Sequence, residues 1–237
     1  MRRPTEAEQR QWDEDGYVVI ENAVSGDALA KLQEAHTYWG GQCKGEWLAE
    51  VALGKALPTC YDVPDAMLKD PIFMDLVDYP GYFGYVQKFA GDDPLAHAPQ
   101  VRTVPPWPIS YCGWHPDVGK GPPRRIKVQI YVSDVDEAGA FGFVPGSHRT
   151  DRNPFYRYHD PKSMPGHRVF SGKAGTAIMF NIAGLHTAMP NRSEPPRQSA
   201  IIMYDRDEGQ RTVSDDFANI DHLCTTPARR RLFQLEK

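Results

Sequence analysis

From about residue 100 onward the chain is cut into short apolar or alternating runs, ISYCGW, RIKVQIYVSD, FGFVPG, HRVFSG, TAIMFNI and QSAIIMYD, fenced by Pro, Gly, Asn and Asp. Runs this short, with turn residues between them, suit strands rather than helices, and their spacing predicts an all-β sandwich or jelly roll. The proline-rich stretches VPPWPI, GPPRR and SEPPR read as loops between strands, because proline cannot donate to a ladder.

The first hundred residues have a different texture. Residues 5–15, TEAEQRQWDED, are polar and helix-favouring, with Thr5 placed to cap and Gly16 to stop. YVVIENAV reads as a strand, and Ser25 then caps GDALAKLQEAHTYW, whose Leu29, Leu32, Ala35, His36 and Trp39 recur at helical spacing up to Gly40-Gly41. Residues 42–98 hold helix-like pieces near 46–54 and 72–90, broken by Pro58, Pro64, Pro71 and Pro80, and give no functional signal. The expected layout is one domain over 1–237, with a helix-rich flank and first strand (1–98), a jelly-roll core (99–210) and a C-terminal extension (211–237). A length of 237 residues suits one β unit.

A net charge of −4 offers no global positive field, so nucleic acid and anionic membranes are disfavoured as partners. No apolar run has the length of a bilayer-spanning helix, and the expected location is the cytoplasm. Cys43, Cys60, Cys112 and Cys224 are scattered without a C-x-x-C pair, which suits reduced thiols rather than zinc or disulfides.

The chemistry-bearing pattern begins at His115-Pro116-Asp117. If these residues are extended, the period of two puts the imidazole and the carboxylate on one face, where both can bind one metal. Alone this is weak, since eight histidines among 31 acidic residues give roughly one H-x-[D/E] by chance. A surface turn would explain it equally well. Downstream, Gly175 to Phe180 reads as a turn into a buried strand, His186 follows, residues 190–193 make a turn, and Arg197 opens the next strand. Antiparallel pairing across that turn would bring His186 and Arg197 to one sheet face. His36, His97, His148, His159, His167 and His222 lack such a context and read as surface or hydrogen-bonded residues.

Two histidines and one carboxylate on Fe(II) leave three positions open. Two can chelate a 2-oxo acid and the third takes O2, while the planar fork of Arg197 suits the far carboxylate of 2-oxoglutarate.

Several ordered motifs resemble the phytanoyl-CoA dioxygenase family, which includes ectoine hydroxylase and natural-product tailoring enzymes. They are DEDGYVVIENAVSGDALAKL, HPD at 115–117, SDVDEAGAFGFVPGSHR at 133–149 and GTAIMFNIAGLHTAMPNRSEPPR at 175–197, together spanning nearly the whole chain. The resemblance implies a mainly β fold, a double-stranded β-helix (cupin-like jelly roll) with flanking N-terminal and mid-chain helices. It also implies Fe(II) on His115, Asp117 and His186, and a 2-oxoglutarate salt bridge to Arg197. Where many relatives have a co-substrate-contacting tryptophan this chain has Gln129, and where they have a serine two residues past the distal histidine it has Ala188, with Thr187 or Tyr111 as substitutes.

Trp114, Lys127, Tyr131 and Arg102 are candidates to face the substrate if their strands alternate as written. Lys120, Arg124, Arg125 and Lys127 follow the metal motif and would attract an anionic substrate, although a solvated loop explains them more simply. Arg229 to Arg231 read as a solvated tail. The implied activity is oxidation of an unactivated C–H bond of a small molecule, most simply hydroxylation in specialised metabolism, with release of succinate and CO2. Desaturation, cyclisation and epimerisation are variants of the same chemistry. The rivals are a cupin-like metalloenzyme that does not use 2-oxoglutarate and a non-catalytic small-molecule-binding jelly roll.

Overall fold

The computed structural model describes residues 1–107, 113–117, 125–150, 164–207, 209 and 212–236. In α1 (Glu6–Asp15) the Thr5 hydroxyl accepts from the Glu8 N–H while the Glu8 carboxylate accepts from the Thr5 N–H, a reciprocal cap. The helix ends at Gly16 in the left-handed region at φ 85°, a conformation that favours glycine. A side chain there would also strike the ring of His148. β1 (Tyr17–Ile20) follows, then α2 (Gly26–Ala52).

α2 is longer than its sequence predicts, running through Gly40-Gly41 with Ser25 at its start but no side-chain cap bond. One interior glycine costs a helix about 1 kcal/mol, too little to end it when its neighbours pack, and Gly40 is buried against His36 and Thr103.

Residues 61–104 supply β2 (Tyr61–Asp62), α3 (Ala66–Lys69), α4 (Pro71–Asp75), α5 (Phe83–Ala90), β3 (Leu95–Ala96) and β4 (Gln100–Val104). The remaining elements are β5 (Arg125–Tyr131), β6 (Phe141–Phe143), β7 (Arg168–Phe170), β8 (Ala177–Asn181), β9 (His186–Ala188), β10 (Arg197–Asp205) and α6 (Pro227–Leu232). The apolar runs picked out from the sequence therefore fold as strands. Of ISYCGW, residues 109–112 lie outside the described residues.

Two antiparallel sheets form a jelly roll. The larger has strand order β1-β8-β5-β10-β4-β2, with β3 pairing the end of β10, and the smaller has order β7-β6-β9. Alternation divides each strand of the larger sheet between two cores. Val18, Ile20, Ile126, Val128, Ile130, Met179, Ile202 and Tyr204 face outward and pack with Trp12, Leu32, Phe73, Val86 and Phe89 of the helical layer. Tyr17, Tyr131, Ile178 and Phe180 face inward and meet Phe141, Phe143 and Phe170 of the smaller sheet. Burying a side chain of this size contributes about 1.5–3 kcal/mol, so the helical layer and the smaller sheet are each held to the larger sheet by apolar burial.

The register fixes what lines the inner face. Ser199 pairs with Tyr131, Ile201 with Gln129, Met203 with Lys127 and Asp205 with Arg125, so Arg125, Lys127, Gln129 and Tyr131 all point inward. Arg197 is at the far end of that ladder, and Asp205 and Arg125 are at the near end.

Candidate metal centre

His115 and His186 lie 71 positions apart in sequence yet form an isolated antiparallel bridge. The His115 N–H donates to the His186 carbonyl at 3.1 Å and the His186 N–H to the His115 carbonyl at 3.0 Å. Two residues on, the Asp117 N–H donates to the Ile182 carbonyl at 2.8 Å, which brings its side chain to the same face as His115.

Both imidazoles have a fixed tautomer. Nδ1 of His115 is 2.6 Å from the Gly113 carbonyl and Nδ1 of His186 is 2.9 Å from the Gly184 carbonyl. A carbonyl only accepts, so each Nδ1 carries a proton and Nε2 is the nitrogen turned toward the metal position. His115 Nε2 is 3.7 Å from Asp117 Oδ1, and His186 Nε2 is 3.3 Å from Asp117 Oδ2. The three ligand atoms lie within 4.8 Å of one another.

Two imidazole nitrogens and one carboxylate oxygen converging on one point match a divalent first-row metal with open positions. The surroundings hold these groups in binding-competent forms. Burial, reinforced by His186, lowers the His115 pKa and keeps that ring neutral. Burial alone would raise the Asp117 pKa, but His186 and Lys127 overcome it and hold the carboxyl well below its usual range. The Lys127 ammonium sits 2.7 Å from Asp117 Oδ2. The His186 ring rests against Phe180 and Phe141, with centroids at 4.9 and 5.9 Å, an apolar wall on one side of the site.

Arg197 is 4% exposed on the inner face of the larger sheet, whereas His186 sits in the smaller one. The expected pairing of their strands across the 190–193 turn therefore does not form, and the two residues face each other from separate sheets. Its Nη1 donates to the carbonyls of Gly139, Ala140 (3.1 Å) and Met189 (3.3 Å), while its Nε is buried without a partner. Burial lowers its pKa, and among the described residues no carboxylate pairs with it. A buried guanidinium with an orphaned N–H is the partner that a bound dicarboxylate's far end needs. Gln129, buried between Ile201 and Ile178, lies on the ladder between the metal ligands and Arg197.

The other candidate residues fall in varied places. Lys127 reaches the site through Asp117. Tyr131 is fully buried, its hydroxyl donating to the Phe170 carbonyl at 2.6 Å and accepting from the Phe141 N–H at 3.2 Å, and burial pushes its pKa up to about 12. That hydroxyl ties the two sheets together. Arg102 faces inward but grips Asp62 with two hydrogen bonds of 2.8 and 2.7 Å. Trp114 alternates away from His115 and packs with Val144, Leu185 and Met189 behind the smaller sheet. Thr187 alternates away from His186 on that same side and is fully buried, which leaves Ala188 beside Phe141 on the inner face. Tyr111, Cys112, Lys120, Arg124 and His159 lie outside the described residues.

Residue-by-residue reading of the sequence missed the cluster at the near end of the ladder. Asp205 accepts two hydrogen bonds from Arg125 and one from His97 Nε2 at 2.9 Å, and burial is outweighed by these hydrogen bonds together with the Arg125 charge, so its pKa is lowered. The available signal was the register, because pairing QSAIIMYD against RIKVQIY sets Asp205 opposite Arg125.

Residues 62–199 match the family model described as phytanoyl-CoA dioxygenase. Over 228 residues the chain is 23% identical to the L-proline trans-4-hydroxylase of Streptomyces griseoviridis, the match covering 81% of this chain and 83% of that enzyme. It is 24% identical over 226 residues to the ectoine dioxygenase of Bordetella parapertussis, covering 81% and 72% of the two chains. In fold it is similar to HygX from Streptomyces hygroscopicus, solved with nickel, 2-oxoglutarate and hygromycin B. The TM-score is 0.67 at 15% identity, covering 86% of this chain and 88% of that one. The triad, the jelly roll that presents it and the matched residues agree, and this chain belongs to the phytanoyl-CoA dioxygenase family.

Proposed function

We propose that this chain, by family an Fe(II)- and 2-oxoglutarate-dependent oxygenase, hydroxylates an unactivated C–H bond of a small molecule in specialised metabolism. His115, Asp117 and His186 would hold the iron, and Arg197 the far carboxylate of 2-oxoglutarate, with Gln129 lining the space between them. When bound, iron and 2-oxoglutarate would together activate O2 for C–H cleavage, one oxygen atom passing into succinate as CO2 is released and the other into the product. The protein's own part is to fix tautomers, to exclude water with Phe180 and Phe141 and to position the substrate carbon. The reading is carried by Arg197, a buried cation that among the described residues has no carboxylate partner, on the larger sheet's inner face across from the smaller sheet that carries His186.

The substrate would enter at the near end of the ladder, opposite Arg197. There Arg125 is held by Asp205 and Lys127 by Asp117, so the rim presents paired charge. Paired charge favours a small substrate with both donor and acceptor groups over a simple anion. The flanking helices cover the outer face of the same sheet, which supports reading 1–237 as one oxygenase unit. Among the described residues Cys43, Cys60 and Cys224 form no disulfide, which supports a reducing, cytoplasmic setting. Among the described residues no helix is long and apolar enough to cross a membrane.

The test is an anaerobic titration of purified protein with Fe(II) and 2-oxoglutarate, watched for the metal-to-ligand charge-transfer absorption and followed by O2 and succinate measurement. The expected result is a band that saturates at one equivalent and succinate formed on aeration. Iron binding without either signal would favour the cupin-like reading, and absence of iron binding the non-catalytic one.

A further inference from the structure

Lys127 is on the inner face of β5, its side chain only 19% exposed and its cross-strand neighbours Met203 and Phe180 apolar. Its ammonium makes a hydrogen bond of 2.7 Å to Oδ2 of Asp117. A cation so near a divalent-metal site repels the metal, so its presence there has to be weighed against what else it does.

A carboxylate can ligate through one oxygen or two. With two histidines bound, one oxygen leaves three positions open, enough for a chelating 2-oxo acid and O2, whereas two oxygens leave only two. We propose that Lys127 is a positioning residue: by holding Oδ2 it keeps Asp117 ligating through Oδ1 alone and so keeps a position free for the co-substrate. This rests on the 2-oxoglutarate reading above. Residues that hydrogen-bond a ligand commonly change metal affinity or activity by about 10–100-fold when removed.

The assignment has a signature that lost packing cannot imitate. Replacing the ammonium by an apolar group of similar length removes the repulsion and releases Oδ2 to chelate, so the metal binds at least as tightly. The co-substrate then competes with Oδ2 for its position and binds more weakly. A purely structural role would weaken both together.

The experiment uses the full chain, metal-free, as wild type, Lys127→Met and Lys127→Arg. Each is titrated calorimetrically with Co(II), then as the Co(II)-loaded protein with 2-oxoglutarate, and the cobalt d–d absorption is recorded. For Lys127→Met the expected result is undiminished Co(II) affinity, about tenfold weaker 2-oxoglutarate binding, and a d–d spectrum shifted toward higher coordination before the co-substrate is added. Lys127→Arg, which retains a donor, should restore the wild-type spectrum. Loss of both affinities in Lys127→Met, or of neither, overturns the assignment. Failure of wild-type Co(II) protein to bind 2-oxoglutarate overturns instead the reading on which it rests.

Discussion

His115 and His186 hold each other through their own backbones, exchanging N–H to carbonyl hydrogen bonds of 3.1 and 3.0 Å. The metal ligands are thus fixed by a strand pairing as well as by side-chain packing. A change in the turn that delivers His186 should therefore reach the metal without touching a ligand.

Gly184 tests this. Its carbonyl accepts from His186 Nδ1 at 2.9 Å, its N–H donates to the Asn181 carbonyl at 3.0 Å, and a Cβ on it would lie 2.2 Å from the ring of Phe143, which is fully buried. Gly184→Ala should cost about 1–3 kcal/mol of stability, because a packed ring cannot yield freely. It should also weaken metal binding by about 10–100-fold, as loss of a ligand's orienting partner does. Thermal melting and Co(II) calorimetry measure the two effects, and unchanged metal affinity would show that the turn does not aim His186.

Arg197→Lys separates charge from shape. Lysine keeps the cation but loses the planar fork and the orphaned Nε. The KM for 2-oxoglutarate should rise by about 10–100-fold, equivalent to about 1.4–2.8 kcal/mol, with metal affinity unchanged. Initial rates of succinate formation at saturating iron report the first, and Co(II) calorimetry the second. An unaltered KM would detach the far carboxylate from this residue.

The antiparallel pairing expected across the turn at 190–193 does not form, because β9 with His186 pairs β6 in the smaller sheet while β10 with Arg197 lies in the larger. The shared face of His115 and Asp117, by contrast, was legible from alternation across 115–117. The strands of the core were legible for the same reason, since burial on one or both faces writes itself into runs of five to nine residues. What was not legible depends on pairing between distant segments. Nothing near Asp62 announces Arg102, and the contact of Lys127 with Asp117 requires knowing how a strand packs beside a loop ten residues earlier. Gly40-Gly41 misled because the helix stop they suggest is cheap to override once His36 and Thr103 pack there.

Trp114 is a second place where local reading and packing part. At 1% exposure it fills the space behind β6 and β9 with Val144, Leu185 and Met189, on the side away from the ligands. Trp114→Ala should cost about 3–5 kcal/mol of stability by leaving a cavity. Trp114→Phe, which fills most of that space, should keep the KM for 2-oxoglutarate and the charge-transfer band within about twofold of wild type, a change worth under 0.5 kcal/mol. A large shift in either for the Phe variant would return Trp114 to the site.

His36 should contribute to the fold's loss of stability in acid. It is fully buried in α2, with Nε2 3.2 Å from the Arg102 carbonyl and Nδ1 without a partner. Burial lowers its pKa below the ordinary 6.5, so the folded protein resists protonating a ring that the unfolded chain protonates readily. The sign follows: above pH 6.5 the ring is neutral in both states and its contribution to stability is complete, and as the pH falls from there toward the folded pKa that contribution is lost. His115 and His148 are shifted the same way and share in the slope, so the effect of His36 must be read as a difference. His36→Gln, which cannot titrate, should be less stable than wild type at pH 7.5 because it disturbs a packed helix face. Its denaturation midpoint should then fall less steeply between pH 7.5 and 5.5. Urea unfolding of the metal-free proteins at several pH values measures both slopes, and parallel slopes would mean that His36 is not among the groups whose burial destabilises the fold in acid.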